Sequence, residues 1–363
     1  MKIFIDIGHP AHVHYFKNFI HIMNERGHSF FITARDKEMA HYLLEKENIS
    51  YINRGKGKTT AIGKLFYMLQ ADLFLLKHAI KFKPDIFLGF ASFYTAQVSF
   101  LLRKPSIVLD DTENGKFQQF CYRPFANSIL SPSTFSKDFG KKHFKFNSYL
   151  ELAYLHPHYF TPDFNQLSEL GVTYGEKFTI CRFVSWEANH DYGHSGLSIE
   201  NKIKAVEEFA KYSKVFITSE NELPEQLRPY QIKLSPEKIH HAISFASLLY
   251  GESATMASES AVLGTPSVYV DNNGRGYTDE QESEYGIVYN FDESEKGQEQ
   301  SIVKGLEILK INNSELIFNR IKKEILSDKI NFTEFLIWYV EEYPRSPLSL
   351  SNDINAQFNF KLK

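Results

Sequence analysis

The sequence predicts an α/β protein with two Rossmann-like domains that face a cleft. Short apolar runs alternate with segments of helical periodicity from residue 2 to about 130, and a second alternation begins near residue 178. Strands that alternate with helices favour parallel sheets with right-handed crossovers. The chain has 363 residues, which is more than one core usually holds. We therefore predict two domains of the same type.

The first predicted domain covers residues 1–160. Residues 2–7 form an apolar run that ends at Gly8, as a buried parallel strand would. Apolar residues at helical spacing follow from Val13 to Arg26, and Gly27 can end that helix. Further strands are predicted at 28–33, 49–52, 86–89, 106–109, 128–130 and 146–150, and further helices at 36–47, 60–82 and 92–102.

The second predicted domain covers residues 161–330. A hinge is predicted at 155–163, where the chain has two prolines and no periodicity. The strands of this domain are predicted at 178–184, 215–218, 247–250 and 267–270, and its helices at 199–212, 236–245 and 255–263.

The C-terminal part of the chain is predicted to be mostly helical. Residues 274–282 look like a cleft loop, and long helices follow from about 294 to 343. Residues 331–363 are expected to pack back on the first domain. After Pro344 the composition turns polar, which predicts a loosely ordered tail.

The composition excludes some classes of protein. The net charge is −3, with 41 basic and 44 acidic residues, whereas a nucleic-acid-binding protein is usually strongly basic. Cys121 and Cys181 have no metal-ligand or redox spacing, which favours reduced thiols in a cytosolic protein. The N-terminus does not have the pattern of a signal peptide, and no stretch has the ~18 apolar residues of a membrane span. We expect a protein of the cytoplasm or of the membrane surface that faces it.

The strongest local pattern is at residues 247–270, SLLYGESATMASESAVLGTPSVYV. A strand leads into a helix whose first residues are small, so its backbone N–H groups lie open to an anion that the helix dipole also favours. Glu259 follows Thr255 by four residues, on the same face of that helix. A carboxylate there can accept both hydroxyls of a ribose. The alternative is an ordinary small-residue helix packed tightly on a sheet.

This segment resembles the nucleotide-binding segment of B-type glycosyltransferases and of the non-hydrolysing UDP-N-acetylglucosamine 2-epimerases. The resemblance implies that the first residues of the helix face the diphosphate of UDP and that Glu259 faces the ribose. The residues so implied at the phosphate are Ser253, Ala254, Thr255 and Met256. The layout of residues 84–133 is also similar to that of the epimerases, and the whole chain is most similar to an uncharacterised bacterial and archaeal branch of this superfamily.

The first loop, Gly8 to His14 (GHPAHVH), looks like the glycine-containing loop of these enzymes that faces the cleft. A histidine there can orient or deprotonate a sugar hydroxyl, because imidazole titrates near neutral pH. We expect His12 first and His9 second in this role, since His12 stands where the lipid II-forming glycosyltransferase has a similar His-Val. The alternatives are a histidine that caps the first helix and a metal site. No carboxylate or cysteine in the loop completes a ligand set, so we expect neither metal nor cofactor.

Three acidic residues follow a predicted parallel strand: Asp110, Asp111 and Glu113. The C-terminal ends of such strands line the ligand crevice of open α/β sheets. We predict Asp111 or Glu113 as the general base for an acceptor hydroxyl. The alternative is a helix N-cap with acidic residues in its first turn.

Arg182 stands within the apolar first strand of the second domain and requires a partner there. One suitable partner is the diphosphate, whose charge on departure an arginine can stabilise. Ser185 and His190 follow closely and are predicted to join Arg182 and Gly8 at the nucleotide-sugar. The alternative for Arg182 is a structural salt bridge.

Two acids that the resemblance leads us to expect for 2-epimerisation are missing. The strand after Pro84-Asp85 ends in 88–91 without an acid, and residues 122–126 also lack one. We therefore predict a glycosyltransferase that transfers a sugar, UDP-linked in our interpretation, to a glycan or lipid-linked acceptor in surface polysaccharide biosynthesis. The alternatives are an epimerase-like isomerase or hydrolase and a non-catalytic nucleotide-sugar-binding protein.

The predicted helix 60–82 bears on the acceptor. It combines many apolar residues with lysines, so it can lie on an anionic membrane near a lipid-linked acceptor. The lysines in and beside it are Lys56, Lys58, Lys64, Lys77, Lys81 and Lys83. The alternative is an ordinary helix that covers a sheet. The sequence does not indicate the oligomeric state.

Overall fold

The computed structural model describes residues 1–37, 39–58, 60–184, 196–219 and 222–362. The chain forms two compact units. Unit 1 comprises residues 1–154 and 330–363, and unit 2 comprises residues 155–329. Each unit contains a parallel sheet with helices, which confirms the predicted α/β class with two Rossmann-like sheets.

Unit 1 contains a sheet of seven parallel strands. The strands are β1 (Lys2–Ile7), β2 (Ser29–Ala34), β3 (Ile52–Asn53), β4 (Ile86–Phe90), β5 (Ser106–Leu109), β6 (Ser128–Pro132) and β7 (His143–Phe146). Their helices are α1 (Pro10–Glu25), α2 (Ala40–Lys46), α3 (Ala61–Phe82), α4 (Phe93–Leu101), α5 (Lys116–Tyr122) and α6 (Leu152–Leu155). In β1, Ile3, Phe4 and Ile5 are fully buried, as the continuous apolar run requires for a strand covered on both faces.

The strand order in unit 1 is β3-β2-β1-β4-β5-β6-β7. The connections run one way from β1 to β3 and the other way from β4 to β7, so the direction reverses between β1 and β4. Right-handed crossovers place α3, α4 and α5 on one face of the sheet, where α4 contacts both of the others. Among the described residues no helix, the 22-residue α3 included, is long and apolar enough to cross a membrane.

Unit 2 contains five parallel strands in the order β12-β11-β10-β8-β9. The strands are β8 (Phe178–Phe183), β9 (Lys214–Ser219), β10 (Leu248–Gly251), β11 (Ser267–Val270) and β12 (Val288–Phe291). The helices are α7 (Ile199–Ala210), α8 (Ile239–Phe245), α9 (Ala254–Leu263), α10 (Gly276–Ser283), α11 (Glu295–Leu309) and α12 (Ser314–Asp328). The direction of the connections reverses between β8 and β10.

The C-terminal segment belongs to unit 1 and forms α13 (Phe332–Glu341) and α14 (Arg345–Asn352). In α13, the rings of Phe332 and Phe335 lie 4.6 and 5.9 Å from that of Phe146 in β7. The prediction of a loosely ordered tail after Pro344 is wrong. A 3₁₀ turn follows α14, and its Phe360 packs 5.5 Å from Trp338 of α13. The polar composition of this segment did not predict the contact. Only a few of its side chains are apolar, but these are enough to fix the segment to α13.

Several elements differ from the predictions. The stretch 274–282 is not a loop but mostly α10, which Gln281 fixes to α9 by donating to Ser258 Oγ at 2.9 Å. The polar sequence of α10 gave no helical apolar pattern, since its buried side chains include Thr278 and Gln281. The elements α5 and β12 were not predicted, and β7 begins three residues earlier than the nearest predicted strand.

Candidate functional site

The first loop of unit 1 joins β1 to α1 at the reversal point of the sheet. His9 is the N-cap of α1, where its Nδ1 accepts a hydrogen bond from the N–H of Ala11 at 3.3 Å. Pro10 follows at the first helical position, where its missing N–H costs nothing. His9 therefore has a structural role as the cap of α1. Its predicted role, to orient or deprotonate a sugar hydroxyl, stays a prediction.

His12 has a defined protonation pattern in this loop. The N–H of Gly8 donates to His12 Nδ1 at 3.2 Å, and the imidazole ring packs 4.7 Å from the ring of Phe90 at the end of β4. Because a backbone amide can only donate, Nδ1 carries no proton, and neutral His12 carries its proton on Nε2. His12 therefore presents a hydrogen-bond donor in this arrangement, which favours positioning of a ligand oxygen over abstraction of a proton.

The surroundings of His12 keep its imidazole neutral. Burial lowers the pKa of His12 well below its ordinary value of 6.5, and electrostatic interactions with His9, Lys37 and Arg54 lower it further. Both effects disfavour the imidazolium. At neutral pH we therefore expect a neutral Nε2–H donor at this position.

The three histidines of the first loop do not converge. The rings of His9 and His12 are 5.9 Å apart, whereas the ring of His14 stacks at 5.0 Å on Tyr154. Within the described parts of the chain, no group of three His, Cys, Asp or Glu side chains is arranged to hold a metal ion.

A buried ion pair lies beneath this loop. Arg54, just after β3, donates from Nε to Asp6 Oδ1 at 2.7 Å and from Nη2 to Asp6 Oδ2 at 3.1 Å. Both side chains are 2% exposed. Asp6 also accepts from the hydroxyls of Thr33 at 2.8 Å and Ser92 at 3.3 Å, and Arg54 Nη1 donates to Tyr67 at 2.6 Å. These bonds satisfy both charges and connect β1, β2, α3 and the loop after β4.

Sequence reasoning missed this network, although one signal was available. Asp6 interrupts the otherwise apolar strand KIFIDI, and a buried carboxylate requires a partner.

Arg35, just after β2, also lies at this edge of the sheet. Its Nε–H is buried and has no acceptor within the part of the chain that the structure describes. Arg35 and Lys37 therefore bring positive charge to the carboxyl edge of unit 1.

Asp72 of α3 is a second titratable group near the ion pair. Burial and the charge of Asp6 raise the pKa of Asp72 to about 7, although Arg54 opposes them. One oxygen of Asp72, Oδ1, is buried and has no hydrogen-bond partner among the described residues. A carboxyl group that titrates near neutral pH is a candidate for proton transfer.

The three acids after β5 have different surroundings. Asp110 accepts from Tyr122 Oη at 2.5 Å, from the N–H of Thr112 at 3.0 Å and from Gln119 Nε2 at 3.2 Å. Burial raises the pKa of Asp110 to about 6, although these hydrogen bonds oppose the shift. Asp110 therefore fixes the turn between β5 and α5. The alternative of a helix N-cap with acidic residues in its first turn is wrong, because Gly115 is the N-cap of α5 and its first turn has no acidic residue.

The two acids predicted as bases lie just beyond Asp110. Asp111 is buried and accepts from the hydroxyl of Thr112 at 3.0 Å. Glu113 has a buried carboxylate oxygen, Oε2, without a partner among the described residues. Only β4 separates β1 from β5, so the loops after these strands lie about 10 Å apart at one edge of the sheet. The structure thus brings Gly8, His12 and the acidic loop to the same edge.

A Ser–His–Asp arrangement elsewhere in unit 1 lacks the protonation pattern of an activated nucleophile. Ser131 Oγ lies 2.6 Å from His143 Nε2, and Asp138 lies 3.6 Å from His143 Nδ1. However, His143 Nδ1 accepts from the N–H of Phe139 at 3.1 Å. Nε2 of neutral His143 therefore carries the proton and donates to Ser131, the reverse of what a catalytic base requires.

The carboxyl edge of unit 2 depends on a close approach of backbone. Gly251 ends β10 with φ 151°, and a Cβ there would lie 2.0 Å from the carbonyl oxygen of Arg182 in β8. The same carbonyl accepts from the N–H of Glu252 at 3.0 Å. Only glycine fits this position, which brings the start of α9 next to the end of β8.

The start of α9 presents backbone amides at this edge. Ser253 is the N-cap, and its Oγ accepts from the N–H of Met256 at 3.4 Å. Ala254 and Thr255 come first in the helix, so their N–H groups have no intrahelical acceptor. All four side chains are partly exposed. The geometry required for an anion at a helix N-terminus is present.

Arg182 lies across the reversal point of unit 2 from α9. Its Nη1 donates to Thr218 Oγ1 at 3.1 Å on the neighbouring strand β9. The side chain is neither fully buried nor fully exposed. Arg182 and the first turn of α9 therefore flank the place in the sheet where the direction of the connections changes, which is where open α/β sheets bind ligands.

Glu259 lies further along α9 and is buried. Its Oε1 is 2.9 Å from Nε2 of His240, which comes from α8 and which sequence reasoning did not single out. This contact fixes the carboxylate, while its predicted role at a ribose stays a prediction. Ser185 and His190 lie outside the described residues.

Glu252 is a further residue that the sequence did not reveal. Its carboxylate is buried and accepts from the N–H groups of Val184 at 3.0 Å and Leu197 at 2.6 Å. Lys202 Nζ lies 3.2 Å from the same carboxylate. Glu252 thereby ties the end of β8 and the start of α7 to the turn that precedes α9.

Residues 1–281 match the family model described as a protein of unknown function, DUF354. The chain belongs to the DUF354 family. A relative of this DUF354 protein is an uncharacterised protein of Methanocaldococcus jannaschii, 25% identical over 282 residues, which are 74% of this chain and 81% of the relative.

Solved structures with the same architecture include enzymes of two kinds. The UDP-N-acetylglucosamine 2-epimerase of Neisseria meningitidis, bound to UDP-N-acetylglucosamine, matches the DUF354 protein with a TM-score of 0.64 and 13% identity, over 90% of this chain and 98% of the other. The spinosyn rhamnosyltransferase SpnG, in complex with spinosyn aglycone, matches with a TM-score of 0.58 and 12% identity, over 98% and 100%. These likenesses confirm the B-type glycosyltransferase fold.

Proposed function

We propose that this DUF354 protein is a glycosyltransferase that uses a nucleotide-sugar, with UDP as the nucleotide. The acceptor in this proposal is a glycan or a lipid-linked molecule of surface polysaccharide biosynthesis. One observation carries the proposal: Arg182 and the open amides of Ala254 and Thr255 flank the reversal point of unit 2. A cation and a helix N-terminus at one edge suit a diphosphate.

Unit 2 binds the donor in this proposal. The diphosphate accepts from the first amides of α9 and from Arg182, and Glu259 accepts from the ribose hydroxyls. As the acceptor oxygen forms its bond to the anomeric carbon, the bond from that carbon to the diphosphate oxygen breaks, and negative charge grows on UDP. The helix dipole and Arg182 stabilise that charge, so the proposal requires no metal ion.

Unit 1 binds the acceptor in this proposal. Glu113 takes the proton of the attacking hydroxyl, because its Oε2 is buried without a partner among the described residues. Asp111 is the second choice, since one of its oxygens already accepts from Thr112. His12 donates from Nε2 to a sugar oxygen, which is the orienting role of the two roles, orienting and deprotonating, that the sequence allows.

Two of the similar structures support this class of reaction. The Neisseria meningitidis enzyme holds UDP-N-acetylglucosamine, and the rhamnosyltransferase holds spinosyn aglycone. Both are enzymes, one of them on a nucleotide-sugar. We extend that class, a nucleotide-sugar with an acceptor, to this chain.

Epimerisation at C2 of UDP-N-acetylglucosamine is the second candidate. This reaction requires groups that remove and return a proton on a sugar carbon. Asp72 and Glu113 are two carboxyl groups of unit 1 that each have an oxygen without a partner among the described residues. Asp72 also titrates near neutral pH.

Thermal unfolding with ligands tests the donor site. We expect UDP and UDP-sugars to raise the melting temperature more than UMP, ADP, GDP or CMP, because a ligand at ~100 times its dissociation constant adds about 2.7 kcal/mol of stability. Arg182→Ala and Glu259→Gln should lose this response. Arg228→Ala and Glu299→Gln, at exposed positions of unit 2, serve as matched controls and should keep it. If no nucleotide raises the melting temperature, the proposal of a donor site is wrong.

Turnover separates the remaining candidates. UDP-N-acetylglucosamine incubated alone yields UDP-N-acetylmannosamine or free N-acetylmannosamine if the protein is an epimerase or hydrolase, and this result would contradict transfer. UDP release that depends on an added glycan or lipid-linked acceptor supports transfer, and Glu113→Gln should reduce it at least ~100-fold as loss of a general base does. Binding of UDP without turnover of any sugar would indicate a non-catalytic nucleotide-sugar-binding protein.

A further inference from the structure

The outward side of α3 is apolar where a helix that covers a sheet is normally polar. Ala71, Leu75 and Ala79 are buried on the inward side. On the outward side Phe66, Leu69, Leu73 and Ile80 are each more than half exposed. A helix with large apolar side chains on its outward as well as its inward side normally has a partner on both sides. In the described part of the chain, these four side chains face solvent.

The neighbouring helices extend this apolar surface. Phe100 of α4 and Phe117 and Phe120 of α5 are also more than half exposed. The ring of Phe117 contacts Phe93 at the start of α4, with the ring centroids 6.1 Å apart. We call the outward sides of these three helices the α3–α5 face. Surface aromatic and aliphatic residues gathered on one face mark an interaction site.

The segments that form the α3–α5 face carry mostly positive charge. Residues 60–83, 93–104 and 116–123 contain eight Lys or Arg and one acidic residue, Asp72. Lys77 and Lys81 are exposed on α3, four and eight residues after Leu73, so they share its side of the helix. The whole chain has slightly more acidic than basic residues, so the positive charge is a local feature of this face.

We propose that the α3–α5 face docks on a lipid bilayer that contains anionic lipids. The apolar side chains enter the boundary between headgroups and acyl chains, and the lysines and arginines contact the lipid phosphates. Exposed phenylalanine and leucine with an excess of basic over acidic residues are the composition that such a surface requires. Lys77 and Lys81 can extend past the apolar side chains to reach the headgroups.

The charge distinguishes a bilayer from a second copy of the chain. A symmetric dimer places the same patch of both copies face to face, so the basic side chains would lie opposite one another. Juxtaposed like charges oppose such an association. An anionic bilayer complements both the charge and the apolar character of the face.

This inference goes beyond the proposed function and does not rest on it. Docking through α3, α4 and α5 uses helices of unit 1 and none of the residues assigned to the nucleotide-sugar. A protein that fails to respond to UDP can still dock on vesicles, and the reverse also holds. The ligand and vesicle experiments therefore fail independently.

Flotation of the full-length protein with vesicles tests the proposal. We expect the protein to float with vesicles of phosphatidylcholine and phosphatidylglycerol at low salt. With vesicles of pure phosphatidylcholine it should remain in the bottom fraction of the gradient. Leu73→Glu and Phe120→Glu should abolish flotation. Lys77→Gln and Lys81→Gln should each weaken the binding roughly five-fold, because each removes one attraction of about 1 kcal/mol to the anionic surface.

Leu348→Glu is the matched control, since Leu348 is an equally exposed leucine on α14. Circular dichroism and melting temperature show whether each variant is folded, which the exposed positions lead us to expect. The proposal is overturned if the wild type stays behind with anionic vesicles at low salt, or if Leu73→Glu and Leu348→Glu bind alike. It is also overturned if the wild type is a dimer that Leu73→Glu converts into a monomer.

Discussion

The carboxyl edges of the two sheets are built in different ways. In unit 1 the edge rests on side chains: Asp6 and Arg54 form a buried ion pair, and His12 accepts from the Gly8 amide. In unit 2 the edge rests on backbone: Gly251 lets β10 approach β8, and α9 begins there with amides that the helix does not use. Both edges lie where the strand connections reverse.

The difference shows two ways to prepare a crevice for a ligand. Charges that satisfy one another, as Asp6 and Arg54 do, stabilise the shape of the edge, and in the proposed function Glu113 rather than this pair takes part in the chemistry. Backbone amides at a helix start hold an anion directly and tolerate few side chains nearby. We expect unit 1 to be sensitive to loss of charge partners and unit 2 to any added Cβ.

Breaking the ion pair of unit 1 should have the largest effect. Arg54→Met leaves Asp6 buried without its partner, so we expect a loss of about 3–5 kcal/mol in the free energy of unfolding. Urea denaturation measures it. Lys304→Met removes one side of the surface pair with Glu307 and should cost under about 1 kcal/mol. If the two variants lose similar stability, the ion pair does not hold the edge of unit 1.

Adding a Cβ to the edge of unit 2 should follow in size. In Gly251→Ala the new methyl group meets the Arg182 carbonyl at 2.0 Å, and φ 151° is unfavourable for alanine. We expect a loss of about 2–4 kcal/mol, measured by urea denaturation. Gly286→Ala has φ 61° and nothing within 4 Å, so it reports the backbone strain alone, about 1 kcal/mol. Equal losses would mean that the close approach of β8 and β10 is not needed.

The pH dependence of stability should report the environment of His12. Its lowered pKa means that the folded state binds fewer protons than the unfolded state below about pH 6.5. The contribution of His12 to stability should therefore fall as the pH falls from 7.5 to 5.5, whereas Asp72 and Asp110, with pKa values raised to about 7 and about 6, contribute in the opposite direction. His12→Asn keeps an acceptor for the Gly8 amide and cannot titrate. Over this pH range its free energy of unfolding should therefore fall less, or rise more, than that of the wild type.

His143 and His156 also have lowered pKa values, the latter about 4, and contribute to the same fall in every variant. The difference between wild type and His12→Asn therefore isolates His12. His21→Asn, at a more exposed position of α1, is the matched control. An unchanged pH dependence in His12→Asn would show that His12 does not have the buried, cation-rich environment described for it.

Removing the cap of α9 should have the smallest effect on stability. Ser253→Ala loses the hydrogen bond to the Met256 amide and should cost about 1 kcal/mol, whereas Ser253→Gly should cost a few tenths. The same variants also test which groups of unit 2 bind the nucleotide, because they remove the Ser253 hydroxyl and keep the amides of Ala254 and Thr255. UDP should still raise the melting temperature of both variants. Loss of that response in Ser253→Gly would indicate that the hydroxyl itself contacts the nucleotide.

Much of the fold followed from local pattern. The strand 2–7, the helix 60–82 and the elements around α9 were predicted within a residue or two, because each combines a clear pattern with a defined stop signal. The helix α10 and the C-terminal turn were missed. Their stabilising contacts, from Gln281 to Ser258 and from Phe360 to Trp338, join segments whose own polarity favours loops.

The sequence by itself determined the alternation of strands and helices, the two α/β units and the small-residue start of α9, since these depend on periodicity and on residue size. The tertiary structure decided which loops share an edge, because only the strand order shows where the connections reverse. It also paired Asp6 with Arg54 across 48 residues and Glu259 with His240. Finally, it fixed which nitrogen of His12 carries the proton, which depends on a single amide that no residue pattern reveals.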